Sequence, residues 1–197
     1  MTLRFLYGLL LAALMATPAF AHVAVGDTNG FAHGVMHPLG GVDHVLVMVA
    51  VGLFAARLGG RALWAVPAAF VAMMAAGGAL GMAGIAVPFV EVGIALSVIA
   101  LGLAVALRRD MPVALAMALV GFFAVFHGHA HGAEMPASAS GLAYGAGFIL
   151  ATAALHLSGI GAGIAIARLG RYRAQRLARI AGSVMVLAGA AMLGGLM

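Results

Sequence analysis

The chain has 197 residues, of which 65% are apolar and 8% charged, with a formal net charge of +5. Soluble domains carry about 25% charged residues, so a water-soluble fold is excluded and the lipid bilayer is the natural solvent. Without cysteine there are no disulfides, thiolate metal sites or cysteine nucleophiles, and without lysine there is no Walker A phosphate loop.

The first segment reads as a cleavable signal peptide over residues 1–21. Arg4 supplies the positive start, Phe5 to Met15 the apolar stretch, and Ala19-Phe20-Ala21 the small-x-small cleavage pattern. Cleavage leaves residues 22–197 as one transmembrane domain with His22 at its head. Six apolar stretches follow, near Val35–Ala56, Ala62–Gly84, Pro88–Leu107, Pro112–His131, Leu142–Ala167 and Leu177–Leu196. Each approaches the ~20 residues needed to cross ~30 Å of hydrocarbon, and backbone polar groups in lipid must be satisfied within helices. The expected fold is therefore an all-α bundle of six membrane-spanning helices.

The arginines fix its orientation. Arg57 and Arg61 lie between spans one and two, Arg108 and Arg109 between three and four, and Arg168, Arg171, Arg173, Arg176 and Arg179 between five and six. The intervening connections and the mature N-terminus hold none. The positive-inside rule makes the arginine-bearing connections cytoplasmic and both mature termini periplasmic, in a multi-pass inner-membrane protein. The high pI thus reflects orientation in the bilayer and not a nucleic-acid surface.

This topology gathers the ionisable residues on one side. His37, Asp43 and His44 fall in the outer half of span one, and Glu91 near the outer end of span three. His127, His129, His131 and Glu134 lie at the outer end of span four, and His156 near the middle of span five. Buried charge costs ~2.5–3.5 kcal/mol per residue even on lenient scales, so four spans do not collect such groups by chance. Asp110 reads as the solvated neighbour of Arg108 and Arg109.

Two stretches carry the chemistry. Span one contains His37-Pro-Leu-Gly-Gly-Val-Asp43-His44. On a straight helix His37 and His44 are about 20° apart and Asp43 about 100° from His44, although Gly40-Gly41 permits an irregular backbone. Span four contains Phe126-His127-Gly-His129-Ala-His131-Gly-Ala-Glu134. His127 and His131 share one helix face, Glu134 continues that stripe, and His129 points elsewhere. Imidazole with carboxylate suits borderline divalent ions such as nickel, cobalt or zinc. The 13 methionines mostly stand singly in apolar runs, as packing residues do.

His129 or His156 alone fits an interhelical hydrogen bond equally well. Glu91 alone fits a proton acceptor or a neutral packing acid. His22, with its free amine after cleavage, could join Asp27 and His33 in a terminal chelate. Paired histidines would also suit haem, but haem needs no clustered carboxylates. Leu157-Ser158-Gly159 beside His156 faintly resembles a serine-protease motif, yet residues two apart on a helix do not face each other. No His-Glu-x-x-His stretch is present, and the chain does not read as an enzyme.

At these residues the chain resembles the HupE/UreJ family, membrane proteins encoded with nickel hydrogenases or ureases. The likeness rests on the signal sequence, the His-Pro-Leu-Gly-Gly-x-Asp-His stretch and the Phe-His-Gly-His-Ala-His-Gly-x-Glu stretch, and covers nearly the whole mature chain. It implies a secondary permease for nickel, with cobalt as the alternative cargo and no permanently bound cofactor. His37, Asp43, His44, His127, His131 and Glu134 would be the functional positions; the reading of the residues themselves adds His22, His33, Glu91, His129 and His156 as further metal candidates. Its partners would be the divalent ion and the bilayer; the oligomeric state is left open.

Overall fold

The computed structural model describes residues 30–107, 110–135 and 139–196. The proposed signal segment and His22 lie outside them. The described residues form seven helices: α1 (Gly30–Gly40), α2 (Val42–Leu58), α3 (Ala62–Met82), α4 (Val90–Leu107), α5 (Val113–Ala133), α6 (Gly141–Ala167) and α7 (Arg171–Leu193). Helices α3 to α7 are each long and apolar enough to cross a membrane. Helices α1 and α2 pass the same test only together, as one span bent by 84°.

That bend is the main departure from six simple spans. Pro38 lies inside α1 and offers no N–H to the preceding turn. Gly40 and Gly41, poor helix formers, follow it. Gly41 is extended, with φ −91° and ψ 116°, and helical bonding resumes with Val45 N–H donating to the Gly41 carbonyl. Helix α7 also starts earlier than its apolar run. Its first turns carry Arg171, Arg173 and Arg176, good helix formers that extend the helix toward water.

Helix α2 forms the centre, with Val47, Met48, Ala50, Val51 and Ala55 fully buried. It packs on α3, α4 and α6, while α5 pairs with α3 and α7 with α4. The outward faces of the spans are apolar, with Leu115, Leu150, Leu157 and Leu187 more than half exposed, as expected of lipid-facing side chains. At one end Arg57 donates to Asp110 at 2.9 Å. This cross-link ties the last turn of α2 to the α4–α5 connection, where the sequence pairs Asp110 with its immediate neighbours. The histidine-rich ends of the helices meet at the opposite end of the bundle.

Close helix contact explains much of the glycine. Helices α3 and α5 touch backbone to backbone: a Cβ on Gly128 would strike the Met74 carbonyl, and one on Gly132 the Gly78 carbonyl. Gly77 and Gly81 face Val125 and His129 in return. These are small-xxx-small interfaces, in which dispersion between close backbones replaces the hydrophobic force that lipid cannot supply.

Candidate metal site

Two overlapping clusters sit at the histidine end. The outer one joins His37 of α1, His131 of α5 and Glu134 just past α5, with one ligand atom of each within 4.8 Å of the others. His37 Nε2–H donates to Glu134 Oε2 at 3.0 Å, and His131 Nδ1 stands 3.6 Å from the same oxygen. The two rings, His131's first, hold the Glu134 carboxyl down at about 2. It is therefore an anion at any physiological pH. His33 stacks on His37 with ring centres 5.8 Å apart, and Tyr144 O–H donates to the His131 carbonyl at 3.3 Å.

The inner cluster joins His44 of α2 to His127 and His131 of α5, with one ring nitrogen of each again within 4.8 Å of the others. His44 and His127 are fully buried. Their surroundings favour one tautomer of each. Ser97 has one hydroxyl proton, and donates it to the Ile94 carbonyl at 2.6 Å. Its oxygen, 2.8 Å from His127 Nε2, must then accept from Nε2–H. Thr152 likewise directs its proton at Met74 Sδ, 3.7 Å away, and accepts from His44 Nε2–H at 3.3 Å. In both rings Nδ1 is left with a bare lone pair.

The Nδ1 atoms of His44 and His127 are buried and have no hydrogen-bond partner among the described residues, while His131 Nδ1 has only the Glu134 carboxylate, at 3.6 Å. Buried polar atoms are seldom left so. A hydrogen bond that fixes one imidazole nitrogen and frees the other is the usual arrangement around a metal ligand. An ion central to a triangle with sides of at most 4.8 Å stands no more than about 2.8 Å from each corner. Ring shifts under about an ångström would bring those distances to the ~2.1 Å of metal–imidazole bonds. The donor set thus fits a borderline divalent ion.

The structure brings together five of the six principal positions: His37, His44, His127, His131 and Glu134. The bend at Gly41, not helix periodicity, lets His37 and His44 approach His131 from two directions, each with ring centres 4.9 Å from it. Asp43 stands apart. It occupies the first turn of α2, and with His44 turned into the bundle its neighbour at ~100° faces another way. It lines a cleft of about 660 Å³ with Glu91 of α4. His129 Nε2–H donates to the Ile85 carbonyl at 2.8 Å, tying α5 to the α3–α4 connection. Glycines 128 and 132 alternate with the histidines, so one face of α5 meets α3 while another presents His127 and His131 to the cluster. Ser97 and Thr152 were not singled out in the sequence; a lone hydroxyl in an apolar span is the only signal they give.

Buried imidazoles inside a bundle of apolar helices define a multi-pass helical membrane protein with a candidate pathway for a cation. The HupE / UreJ protein family matches residues 10–192. A relative, protein HupE of Rhizobium leguminosarum bv. viciae, is 50% identical over 184 residues, covering 93% of this chain and 95% of the relative. The chain belongs to the HupE/UreJ family. No solved structure matches it.

Proposed function

We propose that the chain is a secondary permease that carries nickel inward across the inner membrane to supply a nickel enzyme such as a hydrogenase or urease. The observation that carries this reading is the inner cluster, in which the bare Nδ1 atoms of His44 and His127 stand beside His131. The outer cluster, with two imidazoles and the Glu134 carboxylate, captures the ion while offsetting its charge. The inner cluster, with three imidazoles and no acid, holds it loosely enough to pass on. Asp43 and Glu91 place two more carboxylates in the adjoining cleft and draw cations to the mouth. An inward ion of charge two gains about 4.6 kcal/mol per 100 mV of inside-negative potential, or roughly a thousandfold concentration ratio. No ATP is required.

Purified protein in liposomes with a clamped potential should take up radiolabelled nickel, with cobalt and zinc as competitors. His44→Ala and Asp43→Asn should both lose uptake while remaining at normal membrane abundance. If the residues only glued helices, each loss would cost about 0.6 kcal/mol and mainly lower abundance. Normal uptake by both variants would refute the transport site.

The orientation proposed with it puts the histidine end and both mature termini in the periplasm, after removal of residues 1–21. A cysteine at Ser138, outside the described residues, should react with an impermeant thiol reagent in spheroplasts, and one at Gly170 should not. The reverse labelling would invert the pathway.

A further inference from the structure

Resting on the permease reading, we propose that His156 is a separate inner station, to which the ion passes from the His44, His127 and His131 cluster before it leaves toward the cytoplasm.

Three helices place it there. On α6, Thr152 accepts the hydrogen bond of His44, and His156 follows four residues later on the same face, about 6 Å further along the axis. On α3, which runs the opposite way, Met74 receives the Thr152 hydroxyl and Phe70 lies one turn deeper. The Phe70 ring is 5.3 Å from His156 and 6.1 Å from His127, centre to centre. Phe70 thus lies against both His127 of the three-histidine cluster and His156. Seven residues past His156, again on the same face, Gly163 lines an open cleft of about 150 Å³ beside Leu53, Ala56 and Arg57. The Arg57 charge is matched there by Asp110.

The chemistry of His156 is unlike that of the other single histidines. Its residue is 2% exposed, and neither ring nitrogen has a hydrogen-bond partner among the described residues. A histidine that glues helices makes a hydrogen bond, as His129 does to Ile85. One that only fills space would be better replaced by an apolar ring, because a buried polar atom without a partner is costly. A transient ligand, supplied by the passing ion, accounts for an imidazole kept bare at this depth.

The test separates holding an ion from passing it on. Nickel binding is measured by equilibrium dialysis on purified wild-type, His156→Phe and His156→Leu proteins, and uptake is measured in liposomes. Binding should stay within about twofold of wild type, while the initial uptake rate falls by about tenfold or more. Thermal stability should be unchanged or higher, since each variant removes two unpartnered nitrogens. Uptake at the wild-type rate by either variant would overturn the inner station and leave the outer clusters standing. Loss of binding together with uptake would assign His156 to the capture site and overturn a separate station. Loss of membrane abundance in both variants would make it a structural residue, with the same consequence. Wild-type protein that carries no nickel would overturn the permease and the station together.

Discussion

Nickel uptake by His131→Gln is expected to fall to background, a loss of about a hundredfold or more, while His37→Gln loses about tenfold through a raised half-saturating concentration. The difference follows from position. His131 belongs to both clusters, whereas His37 belongs only to the outer one. One imidazole cannot complete two sites at once, so an ion fully bound outside leaves the inner site short of a ligand. Transfer then becomes an exchange of partners about His131: His37 and Glu134 let go as His44 and His127 take hold. Removing His131 weakens both ends of that exchange. Removing His37 weakens capture alone, and abundant nickel compensates for it. Uptake measured over a range of nickel concentrations separates the two effects. Equal maximal rates in wild type and His131→Gln would refute the shared-ligand transfer.

Much of this arrangement was legible in the sequence, for reasons that differ by residue. The spans could be read because lipid demands an uninterrupted apolar run. Gathering of His37, His44, His127, His131 and Glu134 at one end followed from the span order alone. His129 falls off the His127–His131 stripe yet stayed among the further candidates, and the structure places it on the Ile85 carbonyl.

Other features depend on which helix faces which. Pro38 and the Gly40-Gly41 pair announced an irregular backbone but not an 84° bend. That bend accompanies close contact of α1 with α6, where Gly34 meets Tyr144 and Gly147 meets Phe31. Asp43 is in the same position. Its ~100° offset from His44 was plain, but only packing shows that this side opens on the cleft shared with Glu91. The tautomers of His44 and His127 were beyond reach, because each is set by a hydroxyl more than 25 residues away in sequence.

The glycines beside the histidines carry the second large expected effect. Gly128→Leu should abolish nickel uptake as completely as loss of His131, although residue 128 offers no ligand atom. A Cβ there would collide with the Met74 carbonyl and crowd the Gly78 amide. Helices α3 and α5 would have to separate by roughly an ångström or more to restore contacts near 3.5 Å. That movement carries His127, the adjacent residue, away from His44. It also draws Met74 away from Thr152, whose hydroxyl orients the His44 ring. A metal site needs its ligands within about 0.5 Å of the productive geometry, so the displacement is too large to absorb. Gly128→Ala should fall between wild type and Gly128→Leu. The control is Gly145→Ala on α6, where an added Cβ meets nothing within 4 Å and uptake should be unchanged. Each variant is assayed for uptake per unit of membrane protein, so that a packing defect expressed only as lower abundance is normalised away. Full uptake by Gly128→Leu would mean that the spacing of α3 and α5 does not set the geometry of the inner cluster.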